Sequence, residues 1–428
     1  MSKKKANVFE EQTVADILSE ESDPTVKEQT PSPENAAEVV AELGAQDAAD
    51  KATVADEQPA ENVNTAEANG NADGEKADGE QTVQADGEET ENNGEPEPLL
   101  RLEKINMIFK KPGSVLMDRN IHVLKDIDLC VYPGEIIALV GESGCGKTTL
   151  GKIITGLYRP TSGDVYFDGT KVSGVFSKKL ASYNQVQFIQ QDSYAALNPV
   201  RTIYQSLYAP IKTHNRKWSR KQIDEKIEEL MELIGLQPSS QFLTKYPHQL
   251  SGGQRQRILM ARAISLDPKL IVADEPVSMI DVSLRLSLLN LMKELNEKLN
   301  MSFVYISHDL STTRYIARNG RVCVMYLGQI VEVGNIGDVV SCPRHPYTRA
   351  LIQAVPVPDP EFRGNDELPL KSMQLGTLED RGEGCAFYER CLYSREECKQ
   401  KISYTATETA QVLCGNLEAV PSDPVYKI

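Results

Sequence analysis

Apolar and polar residues alternate along Arg101–Phe109 and again along Val123–Val131, the spacing of strands that bury one face. Pro133-Gly134 turns the chain into Ile136-Ile-Ala-Leu-Val140, where alternation gives way to an unbroken apolar run. Leu270-Ile-Val-Ala273 and Phe303-Val-Tyr-Ile306 repeat that texture, each beside helical sequence. A strand that is apolar at every position is covered on both faces, so the pattern predicts an α/β fold with a parallel core sheet. Between Ser193 and Leu250 the period lengthens. Ser219-Arg-Lys-Gln222 reads as a capping box, and Ile223, Ile227, Leu230, Met231 and Ile234 then recur at helical spacing until Gly235. That stripe is expected to be core. After Cys342 the chain turns irregular and Pro-rich, through Val355-Pro-Val-Pro-Asp-Pro360, and ends in a cysteine-bearing stretch expected to form a small appended module.

Charge divides the 428-residue chain unevenly. Residues 1–98 carry 26 Asp/Glu against 6 Lys/Arg, and Ala-Asp-Gly-Glu recurs at Ala72, Ala77 and Ala85. Such a segment buries too little apolar surface to offset its ordering entropy, so a disordered acidic tail is expected. Residues 99–428 carry a net charge of only +4, not basic enough to advertise nucleic-acid binding. No apolar run reaches the length of about 18 residues needed to cross a bilayer. Met1-Ser-Lys-Lys-Lys5 is followed by Asn-Val-Phe-Glu-Glu with no apolar stretch, so export is not expected. The eight cysteines are then expected as reduced thiols or metal ligands rather than disulfides.

Directly after Val140 comes Gly141-Glu-Ser-Gly-Cys-Gly-Lys-Thr-Thr149, which fits G-x-x-x-x-G-K-[ST]. Glycines let the backbone wrap a phosphate so that its N–H groups and the following helix N-terminus face the anion. Lys147 would neutralise the outer phosphates and Thr148 would offer its hydroxyl to Mg²⁺. Leu250-Ser-Gly-Gly-Gln254 precedes a predicted helix, Arg255–Ala263, and places Ser251 and Gly253 at a second anion grip. Two such grips are redundant in one site, but make sense if they meet one nucleotide across a dimer interface. Asp274-Glu275-Pro276 ends a buried strand. There Asp274 is placed to hold Mg²⁺, and Glu275 to polarise the attacking water as general base.

In this order, phosphate loop, Gln191, LSGGQ, Asp-Glu and His308, the residues resemble the ATPase subunit of an ATP-binding cassette (ABC) transporter over essentially all of 99–428. The resemblance implies a P-loop NTPase fold with a parallel core sheet, an antiparallel β-subdomain, a helical subdomain at about 192–255 and a C-terminal module over 342–428, the ATPase domain being 99–341. It implies ATP sandwiched between the phosphate loop of one subunit (Gly141, Ser143, Gly144, Cys145, Gly146, Lys147, Thr148, Thr149) and Ser251, Gly252, Gly253 and Gln254 of the other. By motif, Gln191 senses the γ-phosphate, joins Thr148 and Asp274 around Mg²⁺ and contacts the membrane subunit; His308 is the switch histidine; Asp281, in Ser278-Met-Ile-Asp281, belongs to the loop after the catalytic glutamate; and Phe109 stacks on adenine.

Gln190-Gln-Asp-Ser-Tyr-Ala-Ala-Leu-Asn-Pro199, His345-Pro-Tyr-Thr-Arg-Ala-Leu351 and the Val355–Pro360 stretch are similar to oligopeptide/dipeptide importer ATPases, the last to the F-type subunit. Implied partners are a second ATPase subunit in a heterodimer, two membrane permeases and, indirectly, an extracellular solute-binding protein, with the chain peripheral on the cytoplasmic face of the membrane. Nickel-importer ATPases share much of this pattern. A soluble cassette protein acting on ribosomes or DNA would carry tandem cassettes or a long coiled-coil insertion, and neither is present.

Cys385, Cys391, Cys398 and Cys414 are spaced C-x₅-C-x₆-C-x₁₅-C in a segment with few apolar residues of its own. Such a module commonly needs a metal staple, and four thiolates suit zinc or iron-sulfur. The resemblance, through Gly384-Cys-Ala-Phe-Tyr-Glu-Arg-Cys391, implies a [4Fe-4S] cluster, with Lys399 helping to offset its charge. Cys130, Cys145 and Cys323 are not expected as ligands.

Overall fold

The computed structural model describes residues 97–110, 120–172, 185–355, 368–379 and 381–425. The acidic tail, save its last two residues, and positions 356–360 of the Pro-rich stretch lie outside the described residues.

Strands β1 (Leu100–Lys110) and β2 (Asn120–Val131) pair antiparallel, as the alternation predicts. The buried positions of β1 change parity, from Leu100 and Leu102 to Ile105 and Met107. A bulge makes that change: Lys104 takes φ 47° and the register with β2 slips between Leu102 and Ile105. The core sheet starts with β3 (Ile136–Val140). β4 (Ser162–Phe167) lies on the other edge of β1, and β5 (Thr170–Lys171) pairs with β4, completing an antiparallel sheet ordered β2-β1-β4-β5.

β3 pairs in parallel with β8 (Ser302–Ser307) and β9 (Arg321–Tyr326). β7 (Leu270–Asp274) follows beyond β8, and β6 (Val186–Ile189) beyond β7. Every residue of β3, β7 and β8 is buried, which is why their sequences run apolar without alternation. The two faces of β3 serve two cores. Ile136, Ala138 and Val140 pack with Ile258, Leu288 and Tyr326, whereas Ile137 and Leu139 pack with Leu100, Leu102 and Ile153 of the antiparallel sheet and first helix.

The longer helices are α1 (Lys147–Ile154), α2 (Ile203–His214), α3 (Arg220–Leu233), α4 (Gly252–Ile264), α5 (Val282–Leu299) and α6 (Pro346–Gln353). Capping boxes start α2, α3 and α4, pairing Thr202 with Gln205, Ser219 with Gln222 and Ser251 with Gln254. The stripe Ile223, Ile227, Leu230, Met231 and Ile234 is buried in the same core as α4, so it is packing surface.

The segment after Cys342 is not an independently held module. β10 (Gln329–Asn335) runs antiparallel to β9, and β12 (Ala410–Val412) pairs with β10, with β11 (Thr405–Ala406) outside it. The C-terminal stretch therefore extends the core sheet, and Phe387, Cys391 and Val412 are buried in the core that holds Tyr326 and Tyr347.

This placement corrects the expected [4Fe-4S] cluster and the metal-binding assignment. Among the described residues, no group of three or more His, Cys, Asp or Glu side chains is arranged to hold a metal ion. Cys385, Cys391, Cys398 and Cys414 are free cysteines. The expectation rested on the segment lacking apolar partners, and the main core supplies them. Burial pushes the Cys385 thiol up to about 12 and the Cys391 thiol up to about 11, and raises that of Cys414, which favours the protonated form over the thiolate a ligand needs. Lys399 pairs instead with Glu396 at 3.0 Å.

Candidate functional site

The end of β3 and the start of α1 leave no room for a side chain at Gly141 or Gly146. Gly141 has φ 154°, and a Cβ there would stand 2.1 Å from the Met325 carbonyl oxygen. Gly146 caps α1 at φ 105° with Leu124 Cδ2 2.9 Å from where its Cβ would be. The loop can thus close tightly only with glycine at both places. Ser143 and Gly144 are exposed on its rim, and Cys145 is buried beneath it with its thiol pushed up by burial. Lys147 is buried, its Nζ donating to the carbonyl oxygens of Gly141 at 2.7 Å and Glu142 at 2.9 Å. The cation is thereby folded back on the loop it would share with a phosphate. Thr149 lies half-buried on the same first turn.

Glu142, which the motif treats as a variable position, is contacted from far along the chain. Its N–H donates to the Tyr347 hydroxyl at 2.9 Å, and its carboxylate accepts from Arg390 Nη1 at 3.0 and 3.2 Å. Sequence reasoning marks the stretches holding Tyr347 and Arg390 as subfamily features but gives those two residues no role. Nothing in their spacing signals a contact more than 200 positions away.

Three adjacent parallel strands deliver the acidic and polar groups. Asp274 ends β7 and is buried, and the Thr148 hydroxyl donates to it. Burial raises its carboxyl above the usual carboxylate range, while the bond from Thr148 and the nearby Lys147 charge pull the other way. Glu275 follows at φ 46°, in the left-handed region. Its Oε2 accepts from Gln191 Nε2 at 2.8 Å, just beyond β6, and its Oε1 lies 2.9 Å from His308 Nδ1, just beyond β8. Gln191, Glu275 and His308 are thus brought together. Thr148, Asp274 and Gln191, the residues expected around Mg²⁺, all offer oxygen donors, the kind a hard divalent cation takes.

Ser251 is the N-cap of α4, its hydroxyl accepting from Gln254 N at 3.3 Å while Gln254 Oε1 accepts from Ser251 N at 3.1 Å. Gly252 sits against the loop after Glu275 and Gly253 against the first turn of α5: their Cβ positions would lie 3.2 Å from Met279 O and 3.1 Å from Leu284 Cδ1. Gln256 Nε2 donates to Pro276 O at 2.8 Å, tying α4 to the residue after Glu275. Asp281 caps α5 without a side-chain cap bond and is exposed, as are Met279, Val282 and Leu284 beside it. Phe109, at the end of β1, is half-buried and meets Tyr158 edge-on, the ring centroids 5.8 Å apart. No helix among the described residues is long and apolar enough to cross a membrane.

Residues 124–278 match the ABC transporter family model, and residues 331–398 match the model of the oligopeptide/dipeptide transporter C-terminal region. The oligopeptide transport ATP-binding protein AppF of Bacillus subtilis is 40% identical over 72% of this chain and 93% of its own length. Oligopeptide transport ATP-binding protein OppF of Escherichia coli is 40% identical over 70% of this chain and 90% of its own. Dipeptide transport ATP-binding protein DppF of Haemophilus influenzae is 39% identical over 73% and 94%. Residues 124–278 hold the phosphate loop, Gln191 and Glu275, residues 331–398 hold Tyr347 and Arg390, and the chain belongs to the ATP-binding subunits of the ABC transporter family that carry the oligopeptide/dipeptide-type C-terminal region.

Proposed function

We propose that this chain hydrolyses ATP to drive oligopeptide or dipeptide uptake through separate membrane permease subunits, from the cytoplasmic face of the membrane. The observation that carries the reading is the Glu275 carboxylate, held between Gln191 and His308 at the strand ends beside the phosphate loop. In this reading Lys147 leaves the carbonyls of Gly141 and Glu142 for the β- and γ-phosphates, and the loop N–H groups face the same charge. Thr148, Gln191 and Asp274 would hold Mg²⁺, which supplies charge neutralisation on the phosphate oxygens. Glu275 accepts the proton of the attacking water, while Gln191 and His308, one on each of its oxygens, orient the carboxylate. Phe109 flanks the adenine.

A second ATPase subunit, forming a heterodimer, is part of the proposal. Ser251, Gly252, Gly253, Gln254 and Asp281 would meet the nucleotide on the partner, and the exposed Met279, Val282 and Leu284 support a contact at that place. An extracellular solute-binding protein would deliver the peptide. The shared C-terminal region and the names of the relatives support a peptide substrate over nickel. The test is uptake of a labelled di- or tripeptide in cells lacking this chain. Wild type should restore it and Glu275→Gln should not; equal uptake with both would overturn the reading.

A further inference from the structure

Three polar groups of Glu142 are engaged, and two of the three partners come from the C-terminal segment. The main-chain N–H donates to the Tyr347 hydroxyl at 2.9 Å, the carboxylate accepts from Arg390, and the carbonyl oxygen accepts from Lys147 Nζ at 2.9 Å. One residue thus joins the nucleotide lysine to a part of the chain that begins two hundred positions later.

The partners stand on a rigid base. The Tyr347 ring packs on Tyr326 and Phe387, with centroids 4.6 and 5.5 Å away. The Arg390 guanidinium lies 5.8 and 5.5 Å from the centroids of Tyr326 and Phe387. Only 8% of the Arg390 side chain is exposed, against 34% for Glu142. A guanidinium so buried holds its carboxylate partner firmly, because separation leaves the charge unpaired. The Glu142 peptide plane is then set by Tyr347, and an N–H turned toward that hydroxyl is fixed relative to the neighbouring N–H groups that would face a phosphate.

From this geometry we propose that Tyr347 and Arg390 are positioning residues for the nucleotide site: they hold Glu142, and through it the shape of the phosphate loop, so that ATP affinity depends on the C-terminal segment. The proposal rests on the ATP reading of the loop. It gives the oligopeptide/dipeptide-type C-terminal region a part in nucleotide binding beyond extending the core sheet.

The test is equilibrium titration of the full chain with Mg-ATP at 25 °C, with thermal melting of each variant measured separately. Tyr347→Phe removes the accepting hydroxyl and keeps the packed ring. It should weaken ATP binding about three- to tenfold, the loss of roughly one hydrogen bond, with little change in melting temperature. Arg390→Gln should weaken binding further, and Arg390→Lys should recover part of the loss. The Tyr347→Phe and Arg390→Gln effects should be less than multiplicative when combined, since both act through Glu142. Unchanged ATP affinity in Tyr347→Phe and in folded Arg390→Gln, with only the melting temperature lowered, would overturn the proposal. If Arg390→Gln does not fold, Tyr347→Phe decides alone. Lys147→Ala is the control: a wild-type chain that binds ATP no better than this variant refutes the ATP reading, whereas binding lost in Lys147→Ala but untouched in Tyr347→Phe refutes only the positioning role.

Discussion

Gln191 Nε2 donates to Glu275 Oε2 across 2.8 Å, linking the chain beyond β6 to the end of β7. His308 holds the opposite oxygen, so the carboxylate is oriented from both sides. Glu275→Gln should lower the hydrolysis rate at least a hundredfold, about 2.7 kcal/mol of barrier, and leave ATP binding intact. Gln191→Ala should cost about tenfold. Single-turnover hydrolysis with radiolabelled ATP separates the two effects, and a Glu275→Gln rate equal to wild type would remove the general-base role.

Lys147→Ala should abolish ATP binding while the chain stays folded. Its Nζ donates to two backbone carbonyls of its own loop, and the buried Asp274, which loses a nearby positive charge, keeps the bond from Thr148. Retained binding, measured by fluorescent-nucleotide titration, would contradict the assignment.

Ser251→Ala removes the acceptor that closes the capping box of α4 and should cost about 1 kcal/mol of stability. In the assembled transporter the loss of ATP turnover should be much larger than that destabilisation predicts, because the same hydroxyl would face the partner's nucleotide. A proportionate loss, compared by urea melts and ATPase rates, would leave Ser251 as a cap alone.

His345 is buried and burial holds its imidazole well below its ordinary value, at about 3. The unfolded chain, with an imidazole near 6.5, therefore takes up a proton that the folded chain refuses. Stability from this group is complete above pH 6.5 and falls as pH drops toward 3, by about 1.4 kcal/mol per unit. The neighbouring Glu332, whose carboxyl burial raises, acts with the opposite sign, so the comparison must be between variants. His345→Asn keeps an acceptor for the Tyr347 N–H and should flatten the slope of unfolding free energy between pH 6.5 and 4.5. Identical slopes would show that His345 does not carry it.

Phe387 is buried between Tyr326 and Tyr347. Phe387→Ala should cost about 3–5 kcal/mol, seen as a lowered denaturant midpoint. A smaller cost would mean that the C-terminal segment is held by something other than burial in the shared core.

β1, β2, β3, β7 and β8 were legible because burial on one face or two leaves different periods, as β1 and β3 illustrate, whereas β4–β6 and β9–β12 were not anticipated. The site residues near the strand ends were legible because the phosphate loop and Asp274-Glu275 stand directly after apolar runs. What could not be read was partnership across long separations. Phe387 and Val412 look like isolated apolar residues in a polar stretch, and only the fold shows that Tyr326 and β10 cover them. The expected metal staple followed from that blind spot. Glu142 was passed over for the same reason, since its partners Tyr347 and Arg390 are distant in sequence.

Glu275 occupies a backbone region that an unbranched, non-glycine residue enters at a cost of about 1–3 kcal/mol. The proposed general base therefore sits where glycine or asparagine would be more comfortable. Anyone evolving this chain for heat resistance by selecting folded protein alone should find Glu275→Gly or Glu275→Asn among the survivors, and those survivors would be inert. Selection on this chain has to read turnover and endurance together, because at position 275 the two pull apart.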